Sequence, residues 1–283
     1  MMRHALLALL FLAACSTSNE SDGGGTFAPL CFVPPDGGVF LAGIPTPIAG
    51  CTADAGPTGV LDLAALGWAP QGGVLVVPEF APGTALPVVF AFHGAGSTGE
   101  DLRDRLALDP AVDGGAILVY PNAIAGTWDI TQVSPDGRRV DRLISRLAQT
   151  YCIDPARIYI SGMSAGAVFT LYLGCNVPQT FAGIAVVAGS DSRFDTRCCT
   201  QPVSGIFIHG ARDEAFSLAE GRAARAGVAT RDHCSSTTTP DSANCFAYAC
   251  PTPWAVDGCE WDGDHDIPVW AGVEIARFFE LGP

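Results

Sequence analysis

The stretch Arg157–Cys175, RIYISGMSAGAVFTLYLGC, sets an apolar β-type run directly against an apolar helix-type run, with Gly162, Ser164 and Gly166 at the seam. A strand that turns at once into a helix makes a tight corner, and the two glycines let the backbones approach where a Cβ would collide. The Gly-x-Ser-x-Gly pattern alone is weak, since residue frequencies give roughly 0.2 chance matches in such a chain. Its setting carries the weight. A strand, a strained serine on the turn and a helix N-terminus expose the Ser164 hydroxyl at the carboxyl edge of a sheet, where ligands bind, so the corner reads as the seat of a nucleophile.

Outward from this corner, short apolar runs bounded by Gly and Pro predict strands at 72–80, 86–94, 116–122, 182–190 and 203–210. Between them, residues 100–108 and Val140–Thr150 carry apolar side chains at helical spacing, and residues 269–280 predict a closing helix with Val273, Ala276 and Phe279 on one side. Alternating strands and amphipathic helices define an α/β protein with a mostly parallel central sheet and helices on both faces. Residues 26–70 are rich in Gly and Pro and read as loops around a first strand, and the Cys-rich tract 233–260 as a stapled excursion of the same domain, so 31–283 is one unit.

A serine hydroxyl needs a base, and the base an acid that orients it, in the chain order Ser, Asp or Glu, His. His265, in the loop DGDHDIP, is the histidine that follows the Cys-rich tract and is the expected base; Asp213, where IFIHGARDE leaves a strand, is the expected acid, with Glu214 and Asp191 as rivals. His209 reads as a packed residue that fixes the acid's loop. The Gly-rich turn FAFHGAGSTGE offers a backbone N–H at Ala95, which with that of Ala165 would hold an oxyanion. His93 and Trp128 are placed in the substrate pocket; Tyr120 could join them, and core packing is an equal reading for Trp128 and Tyr120. No cofactor or metal is required. A cation loop at Asp262, Asp264 and Asp266 is the weaker reading, because no closing Glu follows at the right distance.

The chain has 283 residues, 48 % hydrophobic, enough for one large core, and a formal charge of −14 in which every basic residue is an arginine. Such a surface repels phosphate backbones, which excludes nucleic acid as a partner. Residues 5–14, ALLALLFLAA, follow Arg3 and His4 and are too short to span a bilayer, so 1–14 reads as an export signal. Leu12-Ala13-Ala14-Cys15 resembles the lipobox of bacterial lipoproteins. Cys15 would then carry the lipid, residues 15–30 would be a flexible tether, and the membrane would be a partner through that anchor alone. The remaining ten cysteines are an even number in an exported chain and read as disulfides. A strand over 157–161 and a helix of about eleven residues have nearly equal lengths, so Cys152 and Cys175 are expected to finish within bridging reach.

At these residues the chain resembles the α/β-hydrolase esterases grouped with polyhydroxybutyrate depolymerases and feruloyl esterases. The resemblance rests on LVVPEF, PVVFAFHGAGSTGEDL, VYPNAIAGTWD, YCIDPARIYISGMSAGAVFTLYLGC, IFIHGARDE and CEWDGDHDIP, in family order from Gly73 to Pro268. It implies the α/β-hydrolase fold and a catalytic triad of Ser164, Asp213 and His265, and the cysteines flanking the nucleophile match its fungal feruloyl-esterase branch. Where the family commonly ends Gly-Gly-His-x-Trp-Pro, here Asp264 precedes the histidine and Ile267 replaces the aromatic residue. The expected activity is hydrolysis of carboxylic esters through an acyl-enzyme. Feruloyl or related plant-wall esters, polysaccharide-linked, come first as substrates, and hydroxyalkanoate polyesters second. A surface lipoprotein that only binds, and a peptidase using the same parts, are the alternatives.

Overall fold

Every side chain of Leu86–Phe92 is buried, which marks a strand covered on both faces. In this computed structural model, residues 56–282 are described except 69–70, 82, 132–133, 195, 197–198 and 200. The expected signal, the tether and Cys15 lie outside the described residues. The described strands are β1 (Gly59–Asp62), β2 (Gly73–Val77), β3 (Leu86–Phe92), β4 (Ile117–Pro121), β5 (Ile153–Met163), β6 (Gly183–Val187), β7 (Gly205–Gly210), β8 (Thr238–Pro240), β9 (Cys245–Tyr248) and β10 (Val256–Trp261). They form one sheet in the order β1-β2-β4-β3-β5-β6-β7-β10-β9-β8. Pairing is parallel from β4 through β10, and β2 and β9 join its two sides antiparallel.

Period-two alternation separates the two cores. Val88, Phe90 and Phe92 of β3 face one cluster, with Val140, Leu143 and Leu147 of α3 (Pro135–Thr150) and Phe169 and Leu173 of α4 (Ala165–Asn176). Val89 and Ala91 face the other, with Leu102 and Leu106 of α1 (Gly99–Leu106), Leu108 and Val112 of α2 (Leu108–Val112), and Ala271 and Ile275 of α6 (Ala271–Phe278). Helices therefore cover both faces. α5 (Leu218–Arg231) adds Ala224 and Val228 to the first cluster.

Three expectations about local structure are corrected. Cys175 is bridged to Cys199, with Cα atoms 4.5 Å apart, while Cys152 has its own disulfide. β5 is longer and less regular than its apolar run: Ile153 stands opposite Leu86 and Ile158 opposite Val88, so four residues of β5 lie against one of β3 and residue count does not set where Cys152 finishes. On α6, Val273 is 60 % exposed while Ile275 and Ala276 are buried. A Cβ on Gly272 would overlap the Leu106 carbonyl, so close packing at this glycine sets the rotation of the helix. Finally, α3 starts at Pro135, five residues before its first apolar position, because Ser134 caps it by accepting the N–H of Gly137 at 2.9 Å.

The Cys-rich tract continues the sheet through β8, β9 and β10. Its staples are Cys234–Cys250 and Cys245–Cys259, the latter between directly paired residues of β9 and β10.

Candidate active site

Ser164 stands between β5 and α4 with φ 57° and ψ −119°, a conformation that L residues rarely hold. The surrounding backbone enforces it. A Cβ on Gly162 would overlap Gly166, and one on Gly166 would overlap the Phe92 carbonyl, so β5, α4 and β3 meet at contact distance on these two glycines. The Ser164 N–H donates to Val187 of β6 at 3.0 Å, which holds the corner while the hydroxyl projects above the sheet.

The structure brings Ser164, Asp213 and His265 together from three strand ends. His265 Nε2 lies 2.8 Å from Ser164 Oγ, and its Nδ1 lies 2.8 Å from Asp213 Oδ2. The Asp213 side chain has no exposed area. Its Oδ1 accepts the N–H groups of Ala215 and Phe216, both at 2.9 Å. A carboxylate offers only acceptors, so the Nδ1 proton points at Asp213 and Nε2 is left to accept from the serine. An imidazole so held can take the hydroxyl proton as the oxygen attacks an electrophile.

The loop of His265 is tied to the loop of Asp213. The Arg212 N–H donates to Gly263 at 2.9 Å, and its guanidinium bonds Asp264 at 3.0 Å and also Asp262. Arg105 takes Asp266. The acidic side chains of this loop are thus turned outward to arginines, and among the described residues no group of His, Cys, Asp and Glu is placed to hold a metal ion. His209 is packed, with Nε2 2.8 Å from the Phe216 carbonyl. Of the rival acids, Glu214 is exposed, and Asp191 is raised by burial, with Arg231 as its neighbouring charge.

Above Ser164 opens a cavity of about 430 Å³ lined by Ala95, Thr127, Trp128, Ile130, Ser164, Ala165, Val168, Arg193 and Phe216. The N–H of Ala165 is the first of α4 and has no acceptor within its helix. Trp128 lines the cavity, donates Nε1–H to the His93 carbonyl at 2.8 Å and stacks on Phe169 at 5.0 Å. His93 does not line it, which corrects its expected place. The imidazole is 1 % exposed; it accepts the Ala123 N–H at Nε2 (3.1 Å) and meets the Gly94 carbonyl through Nδ1 (2.7 Å). Burial lowers its pKa and keeps it neutral. Tyr120 is also buried, donating to Asp109 at 2.7 Å in the core on the other face.

Sequence reasoning missed Phe216 and Arg193 on the cavity wall and Asp136 behind it. Asp136 accepts the N–H groups of Ile124 (3.2 Å) and Asp129 (3.0 Å), pinning the loop of Trp128 to the start of α3. Phe216 follows Asp213 by three residues and Arg193 follows β6 by six, so position after a strand end was the available signal.

The fold is that of the α/β-hydrolases. The chain aligns with the solved acetyl xylan esterase from Aspergillus awamori at a TM-score of 0.62, covering 79 % of this chain and all of that one, at 15 % identity. In sequence it is similar to feruloyl esterase C of Emericella nidulans, 23 % identical over 72 % of this chain and 79 % of that protein. It is also similar to a poly(3-hydroxybutyrate) depolymerase of Ralstonia pickettii, 33 % identical over 34 % of this chain and 21 % of that protein. The chain spans between 21 % and 38 % of the length of the first curated relatives it matches. No protein-family model matches the chain.

Proposed function

We propose that the protein is an exported serine esterase that hydrolyses carboxylic esters through an acyl-enzyme. His265 takes the Ser164 proton, Ser164 Oγ attacks the ester carbonyl, and the N–H groups of Ala95 and Ala165 hold the oxyanion. Collapse expels the alcohol, which takes its proton from His265. Water, activated by the same imidazole, then releases the acid, while Asp213 keeps His265 in the productive tautomer. The observation that carries this reading is the 2.8 Å separation between His265 Nε2 and the oxygen of a serine held on a strained corner.

Feruloyl and related plant-wall esters are the first substrate class, supported by the similarity to feruloyl esterase C and by a cavity wall of Trp128, Ile130 and Val168 that suits a flat aromatic acyl group. Short hydroxyalkanoate esters are the second, supported by the similarity to the depolymerase. Disulfides such as Cys175–Cys199 and Cys245–Cys259 belong to an oxidising compartment. With the lipobox-like Leu12–Cys15, they support a lipoprotein tethered through Cys15 at the cell surface or in the periplasm.

Turnover of 4-nitrophenyl acetate tests the reading. It is expected in the wild type and lost in Ser164→Ala without loss of fold, and equal turnover in the two refutes it. A panel of methyl ferulate against hydroxybutyrate oligomers ranks the two substrate classes.

A further inference from the structure

Arg193 brings a positive charge to the wall of the Ser164 cavity in a chain whose formal charge is −14. Other described arginines on this side of the molecule are paired with carboxylates. Arg212 holds Asp262 and Asp264, Arg105 holds Asp266, and Arg222 and Arg225 share Glu260. Arg193 is exposed and has no carboxylate within ion-pair distance among the described residues. Its guanidinium lies over the Phe216 ring at 5.4 Å. The acid that feels its charge, Glu220, is already engaged: it accepts the N–H and hydroxyl of Ser217, both at 2.8 Å, and the hydroxyl of Ser192 at 3.3 Å.

Phe216 relates this charge to the chemistry. The ring has Arg193 over it and stands with its centroid 6.0 Å from that of His265. His265 is the group that protonates the departing alcohol, so the side of the cavity reached past its ring is the leaving-group side. Trp128, Ile130 and Val168, beside the oxyanion N–H of Ala165, supply apolar surface for the acyl group. A guanidinium resting on an aromatic face keeps its planar donor edge available, and that edge matches a carboxylate in a two-bond fork.

Resting on the serine-esterase reading, we infer that Arg193 is a specificity residue that receives a carboxylate carried by the alcohol portion of the ester. Two kinds of alcohol present one: a uronic acid unit of an acidic polysaccharide and a hydroxy acid at the end of an oligoester. Either gives the same products, a free acid and an alcohol that keeps its own carboxylate. Its charge also offsets locally the repulsion that this acidic protein exerts on an anionic substrate.

Matched pairs that differ essentially in that charge test the inference: O-feruloyl glycolate against O-feruloyl glycolamide, acetylated galacturonate against acetylated galacturonamide, and the 3-hydroxybutyrate dimer against its amide. In the wild type the ratio of kcat/KM for acid over neutral is expected to reach about tenfold in at least one pair and to shrink with added salt. In Arg193→Gln that ratio falls toward one, mainly through KM, and Arg193→Lys restores part of it. The second and third pairs separate the uronate from the hydroxy acid source. A ratio that Arg193→Gln leaves unchanged, or a wild type that prefers the neutral member of every pair, overturns the inference. Turnover of methyl ferulate without turnover of any acid member overturns it as well. A wild type that hydrolyses neither 4-nitrophenyl acetate nor any of these esters overturns the esterase reading instead, and one that turns over 4-nitrophenyl acetate alone overturns the inference.

Discussion

The carboxylate of Asp213 divides its two oxygens: Oδ2 meets His265 Nδ1 at 2.8 Å, and Oδ1 is held by the N–H groups of Ala215 and Phe216. The acid is thus fixed by its own loop before it fixes the histidine. Asp213→Asn keeps the shape but can offer its NH2 to Nδ1, favouring the tautomer in which Nε2 carries the proton and cannot accept from Ser164. Esterase kcat is expected to fall by about 10⁴ with an unchanged circular dichroism spectrum, and a loss below about tenfold would contradict this role.

His93 is a positioning residue by the same logic, since its ring joins the Gly94 carbonyl to the Ala123 N–H next to Ala95. In His93→Ala, kcat is expected to fall by roughly 10²-fold, on the scale of one misplaced oxyanion donor, with KM for methyl ferulate little changed. Steady-state kinetics check the split, and a change confined to KM would place His93 in substrate binding instead.

At the start of β10, Asp257 is buried beside Asp241, with Arg277 reaching both. Burial, then the Asp241 charge, raises the Asp257 carboxyl to about 7. Its pKa is above the unfolded value, so the native state binds the extra proton, and the stability this group contributes is present at acid pH and lost as pH rises from about 4 through 7. Asp257→Asn mimics the protonated form. Its Tm relative to wild type is expected to be about 2 °C or more higher at pH 8 than at pH 5, read by thermal scans at both values. An offset independent of pH would show that the carboxyl does not titrate in this range.

The corner itself is testable through Gly166, where a Cβ would overlap the Phe92 carbonyl. Gly166→Ala is expected to destabilise the protein by about 3 kcal/mol, measured as a lower urea midpoint, and to displace Ser164 enough to remove activity. Retention of both would mean that β3 and α4 can separate without cost.

What could be read in advance follows from where the information resides. Ser164 and Asp213 stand where an apolar run stops at Gly or Asp, and His265 is the histidine that follows the Cys-rich tract, so strand ends and chain order nominate them without knowledge of packing. The Cys175 bridge was illegible because its partner Cys199 lies beyond β6 where no periodicity places it, and the irregular start of β5 at Asp154, Pro155 and Arg157 carries no apolar signal. α5 is rich in Ala and Gly and shows no amphipathic stripe, although its Ser217–Glu220 capping box was there to be seen. His93 is placed in the pocket by the sequence reading, whereas its imidazole turns inward to satisfy backbone groups. Arg193 gains its meaning only from the absence, among the described residues, of a carboxylate within ion-pair distance, a property of three-dimensional placement.

The central claim is that His265 activates Ser164. Reaction with a fluorophosphonate, followed by peptide mass spectrometry, tests it most directly, because phosphonylation requires the activated serine and no particular substrate. The account predicts one adduct, on the peptide bearing Ser164, formed at least about 10³-fold more slowly in His265→Ala. A wild type that stays unmodified, or one labelled at the same rate with and without His265, would contradict it.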